Sequence, residues 1–154
     1  MNIQRGDNLN ILIHIDENLH DTEITVHCKE LTPETEQIIT ALRLLDKKLT
    51  VTKDEASYIL DVSQILYIES VDRKTFVYTS EDCYETKLKL YEIEERLCNC
   101  GFLRTGKACL VGLKYIRSIK ADINRRLRLT LENGEQIIVS RQYAEALKLK
   151  LEVR

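Results

Sequence analysis

Between Leu49 and Val139 the chain never holds one pattern for long: short runs of alternating apolar and polar residues are broken repeatedly by turn formers. A period of two is the mark of a half-buried strand, so this stretch is expected to be mainly β. Strands are predicted near Leu49–Lys53, Ser57–Leu60, Ile65–Ser70, Thr75–Thr79 and Cys83–Thr86. More follow at Phe102–Thr105, Leu110–Leu113, Ile116–Ala121, Leu127–Glu132 and Gln136–Val139. Asn133-Gly134, joining the last two, is a strong hairpin signal because both residues tolerate the positive φ of a type I′ turn. Two helices interrupt the pattern. One runs from about Leu90 to Cys98 on the stripe Leu90, Ile93, Leu97, and one from Arg141 to Leu151 carries Ala144, Leu147 and Leu151 on a single face.

The first 48 residues have a different style. Leu9–Ile15 and Glu23–His27 alternate about a turn-prone Asp-Glu-Asn-Leu-His-Asp, which predicts a β-hairpin. Thr32 then offers an N-cap and Pro33 a first helical residue, with Glu34 and Glu36 facing the helix dipole and Ile38, Ile39, Leu42 and Leu45 at helical spacing. The expected organisation is a small ββα segment (1–48), for dimerisation or regulation, followed by a larger domain (49–154). About 48 residues bury too little surface to stand comfortably alone, so this segment needs a partner, either the larger domain or another copy.

The formal net charge of −2 hides an uneven distribution. Nine acids face five bases up to Thr50 and eleven face six from Val51 to Cys100, whereas five face twelve from Gly101 on. A basic last third on a nearly neutral chain suits phosphates. The N-terminal stretch has no signal-peptide pattern and no apolar run reaches the ~18 residues of a membrane span, so a cytoplasmic location is expected. There Cys28, Cys83, Cys98, Cys100 and Cys109 would stay reduced.

Four segments, ILYIESVDRKTFVYT, LYEIEERL, GFLRTGKACLVGLKYIRSIK and LRLTLENGEQIIVSRQYAEALK, resemble the LytTR DNA-binding family in order and separation. The resemblance covers about Val51 to Leu151, and the preceding segment is similar to that of small stand-alone LytTR regulators without a receiver domain. It implies an α+β, mainly β fold: an elongated antiparallel β domain that presents loops to successive major grooves of duplex DNA. The first loop is Val71–Thr75, where Arg73 and Lys74 suit phosphate and Thr75 a base edge or thymine methyl. The second carries Arg104 and Lys107 and resembles F-x-R-x-[HS]-[KR]-S. It departs from that pattern at Gly106 and Ala108, and Gly112 stands where Asn usually follows the strand. These departures remove hydrogen-bonding side chains, although amides around Gly106 can still donate to phosphate. The third is Ser140-Arg141, where the arginine fork matches guanine O6 and N7; its bland alternative is a pair with Glu145. Arg125 and Arg126 form a further basic run with Arg128, part of it expected to be a solvated strand edge.

Sharper chemistry finds little support. Cys98-Asn99-Cys100 lacks a second ligand pair for zinc, and the nearby Glu92, Glu94 and Glu95 disfavour the thiolate a redox sensor needs. Cys109, beside Leu110 and Val111, reads as a small buried hydrophobe. His14, His20 and His27 have no identifiable nucleophile or metal partner, and no phosphate-binding glycine loop, nucleophile elbow or metalloprotease motif occurs. The expectation is a non-enzymatic, cofactor-free, homodimeric regulator of transcription that binds specific double-stranded DNA. The resemblance also raises a small integral-membrane regulatory partner. The alternative, motivated by Gly106, Ala108 and Gly112, is a protein-interaction or antagonist module with weak, non-specific DNA binding.

Overall fold

Ten short strands, each too narrow to bury itself, are sorted into two antiparallel sheets in a computed structural model that describes residues 9–45 and 47–152. The outer ends of both expected domains, residues 1–8 and 153–154, lie outside the described residues. The strands are β1 (Lys48–Lys53), β2 (Ala56–Asp61), β3 (Ile65–Val71), β4 (Lys74–Thr79), β5 (Cys83–Thr86), β6 (Phe102–Gly106), β7 (Cys109–Gly112), β8 (Ile116–Ala121), β9 (Leu127–Leu131) and β10 (Gln136–Val139). Seven form a sheet in the order β2-β1-β5-β4-β3-β7-β6 and three form a second, β10-β9-β8. Three α-helices accompany them: α1 (Pro33–Leu44), α2 (Leu90–Arg96) and α3 (Arg141–Leu151). The fold is α+β and dominated by antiparallel β, as the short alternating runs require.

The large sheet is buried on both faces around β3. Its register shifts between Ile65 and Tyr67, a bulge that sends Ile65 and Ile68 to one core and Leu66 to the other. The first core joins Val51, Val77 and Leu110 to Ile93 and Leu97 of the α2 region. The second packs Leu66 and Val111 against Leu129, Leu131 and Val139 of the small sheet and Ala144 and Leu147 of α3. The expected Ala144–Leu147 stripe is therefore what clamps the small sheet to the large one.

Three sequence expectations are corrected. The loop at Asn133-Gly134 connects the strands as predicted, but only Gly134 has positive φ (89°). Gly134 N–H donates to Leu131 O and Glu135 N–H to Asn133 Oδ1, so the reversal is a longer turn with a left-handed glycine, not a two-residue type I′ turn. In α1 the cap forms as expected, Thr32 Oγ1 accepting from Thr35 N–H at 3.2 Å. However, Leu44 reaches the core while Leu45 is exposed, because the helix ends at Leu44 and docks through its last turn.

The third correction concerns the N-terminal hairpin. Residues 9–31 contain no strand, and their one backbone hydrogen bond to another described residue is Leu19 N–H to Asp16 O. The reversal is built, with Asn18 N–H also donating to Asp16 Oδ1, but the ladder is not. Ile11, Ile13 and Ile15 are left outward, the last 91% exposed. An isolated pair of strands is marginal in water unless more strands or a packed face support it, and no described residue provides either over residues 9–28.

Candidate nucleic-acid interface

The strand register decides where the basic residues gather. β3 ends in a two-residue turn, with Val71 paired to Lys74 and both Asp72 (φ 50°) and Arg73 (φ 68°) in the left-handed region. That is the geometry that matches strand twist in a tight hairpin, reached here without glycine. β7 runs antiparallel to β3, so the β6–β7 turn, Lys107-Ala108, lies at the same end of the sheet. Ser70 N–H donates to Ala108 O at 2.8 Å and ties the two turns together.

The small sheet adds two more loops at this end. Ser140 N–H donates to Thr105 O at 2.8 Å, pinning the β10–α3 junction beside the β6–β7 turn. Val139 pairs with Leu127 and Leu127 with Ala121, which brings the β8–β9 loop, carrying Arg125 and Arg126, to the same side. Four loops far apart in sequence thus share one end of the molecule; two backbone hydrogen bonds tie three of them together and the pairing of β8, β9 and β10 places the fourth. Arg73, Lys74, Lys107, Arg125 and Arg141 are all exposed there.

Individual residues behave differently. Thr75 is 2% exposed, paired across Ser70 and Thr86, so it faces the interior and does not present its side chain to a base. Alternation is the reason: once Lys74 points out, Thr75 points in. Arg104 is largely buried; its Nε donates to Glu94 Oε2 on α2 at 2.6 Å and its guanidinium also donates to Lys107 O. It props the β6–β7 turn from beneath, while Lys107 carries the free charge. Lys74 has Glu85 at 4.0 Å across exposed surface, a contact water screens heavily. Arg141 forms no ion pair among the described residues, Glu145 instead pairing with Lys148 at 3.6 Å. Arg126 Nε donates to Ile123 O at 3.4 Å.

Arg128 does not lie on a sheet edge. It is on the outer face of β9, the middle strand, bonded to Gln136 and Asp122. Asp122 in turn accepts from Ile123 N–H at 2.8 Å, and that bond holds its carboxyl below the usual carboxylate range. The pair braces the β8–β9 loop. Cys109 sits one residue beyond the second turn, and burial pushes its thiol up to about 11, which leaves it inert as a nucleophile.

Two of the departures separate on steric grounds. A Cβ on Gly106 would meet nothing within 4 Å, so the missing polar side chain is a free choice of sequence. On Gly112 it would lie 2.9 Å from Ile65 O and 3.2 Å from Leu66 O. Gly112 is thus required by strand packing and lies away from the loops. The sequence reading also missed Lys87 and Lys89. Thr86 pairs with Thr75, which carries both exposed lysines to the first loop; their only signal was a position just past a strand end.

An antiparallel β scaffold presenting basic loops at one end defines a class of DNA-binding domain that works without a recognition helix. Residues 55–152, which include every loop just described, match the family model of the LytTr DNA-binding domain, and the chain belongs to that family. A solved LytTr DNA-binding domain, from a Bacillus cereus protein described as a methyl-accepting/DNA response regulator, superposes with a TM-score of 0.65 at 27% identity, covering 69% of this chain and 97% of that one. Relatives in Staphylococcus aureus strains NCTC 8325 / PS 47 and COL, each named an uncharacterized HTH-type transcriptional regulator, are 27% identical over 147 residues, or 94% of this chain and 98% of theirs. In this chain α1, α2 and α3 are separated by strands, so among the described residues no two helices form a helix-turn-helix.

Proposed function

We propose that this DNA-binding protein regulates transcription by reading a specific duplex sequence, as a homodimer on a repeated half-site in the cytoplasm. The observation that carries the proposal is the convergence of four basic loops at one end, held in register by the Ser70–Ala108 and Ser140–Thr105 hydrogen bonds and by the pairing of β8, β9 and β10. Arg73, Lys74, Lys87, Lys107, Arg125 and Arg126 supply sequence-blind attraction through counterion release. Arg141, exposed and unpaired among the described residues, is the residue for base readout, with Ser140 beside it. Arg104 positions Lys107 rather than meeting phosphate itself. The first 48 residues serve dimerisation or regulation, and a small integral-membrane protein is proposed as a regulatory partner acting through them.

A second reading rests on the open space over Gly106 and the missing serine at Ala108. It makes the chain an interaction or antagonist module whose loops bind DNA without selecting a sequence. Selection from a random duplex pool at two salt concentrations separates the two. Enrichment of a spaced repeat establishes the specific regulator. Salt-sensitive binding without enrichment establishes the second reading, and no binding at either salt removes both.

A further inference from the structure

We infer that residues Leu9–Ile15 of two copies pair antiparallel about Leu12, so that a second copy of this chain supplies the strands that residues 9–28 lack. The inference rests on the homodimer reading and names its interface.

The side chains on this arm are those of a buried strand, yet they face water. Leu9, Ile11, Ile13 and Ile15 share one parity, and Ile24 and Val26 follow on the returning run, all of them exposed. Six such side chains at on the order of 100 Å² of apolar surface each come to roughly 600 Å² per copy. Pairing edge to edge joins the two copies' apolar rows into one face of a wider sheet and supplies the additional strands that a lone hairpin needs. A row of unpaired backbone groups is moreover a template for another strand, and from Leu9 to Ile15 no described partner occupies it.

Self-pairing also suits the charges. Residues 9–28 contain no Lys or Arg, and their four acids, Asp16, Glu17, Asp21 and Glu23, cluster at and just after the reversal. Pairing about Leu12 sets Leu9 against Ile15, Asn10 against His14 and Ile11 against Ile13 of the second copy. Every contact on the apolar face is then uncharged, and the two acidic reversals fall at opposite ends of the new sheet. A parallel pairing would place them side by side. The symmetric arrangement is isologous and closed, so it stops at two copies.

The test uses the full chain with Cys28, Cys83 and Cys98 changed to Ser. Leu12→Cys is expected to cross-link to its own counterpart on mild oxidation, whereas Asn10→Cys, which faces His14, is not. Ile13→Asp should convert a dimeric mass in light scattering to a monomeric one. Because Ile13 lies outside both cores, the same variant should bind an isolated half-site as the parent does. A dimer that survives Ile13→Asp without Leu12→Cys cross-linking overturns the arm and leaves the homodimer standing. A parent protein that is monomeric free and on its DNA site overturns the homodimer reading itself. Cross-linking of Leu12→Cys to Ile59→Cys, on the open edge of β2, would assign the arm to the sheet instead.

Discussion

Glu94 Oε2 accepts a hydrogen bond from Arg104 Nε at 2.6 Å, tying helix α2 to the strand that leads into the β6–β7 turn. An acid next to a DNA surface ordinarily repels phosphate, so its removal distinguishes two roles for its partner. If Arg104 contacted DNA directly, Glu94→Ala would strengthen binding. As a prop for Lys107, Arg104 loses its orientation, and Glu94→Ala is expected to weaken binding. A double-mutant cycle on Glu94 and Arg104 should give a stability coupling of about 0.5–1 kcal/mol, discounted for the half-exposed carboxylate.

Lys107 and Arg141 sit close together on bonded loops but should fail differently. Lys107→Ala should weaken specific and random duplexes alike and lower the slope of log affinity against log salt by ~0.9. Arg141→Ala should cost about 1–3 kcal/mol at the preferred site and little on random DNA. Filter binding across a salt series on both duplexes measures the two effects, and equal losses for Arg141→Ala would remove its readout role.

The two glycines predict opposite outcomes. Gly106→Ser enters open space, so melting temperature should hold while discrimination between specific and random DNA rises. Gly112→Ala drives a methyl against the Ile65 carbonyl and should destabilise the fold by about 1–3 kcal/mol. Thermal melts of both variants decide the matter.

Arg73 holds a left-handed conformation that costs an L-residue roughly 1–2 kcal/mol. Arg73→Gly relieves that strain, so the variant should melt higher, less the entropy glycine adds to the unfolded chain, while its DNA affinity falls. A rise in stability with loss of binding would mark the turn as selected for its charge.

Asp122 sets a pH dependence. Its folded carboxyl titrates below the usual carboxylate range because Ile123 N–H, and then Arg128, favour the charged form. Its contribution is therefore complete above the unfolded value and is lost as pH falls through the folded one. Parent and Asp122→Ala should differ in urea midpoint by a constant amount above about pH 5 and converge below about pH 4.

Much of the fold was legible because local physics repeats itself. Alternation located the strands that became β1 to β10, Thr32 marked the start of α1, and Ala144 with Leu147 marked the buried face of α3. The basic loops were legible too, since a charged tip between two half-buried strands has only one way to face. Thr75 was misread because one residue of register separates a turn tip from a core position. Arg104 and Glu94 are ten residues apart and nothing local joins them.

From Thr32 onward the sequence by itself determined element type, and it also determined the sign and position of the loop charges and family membership, all of which depend on neighbours along the chain. Tertiary structure alone decided that four loops share one end, that Gly112 answers to packing and Gly106 does not, and that Lys87 and Lys89 join the basic surface. It also decided that the N-terminal runs find no partner among the described residues. Each of these depends on which strand lies beside which, and strand adjacency is set by long-range burial that no local window of residues contains.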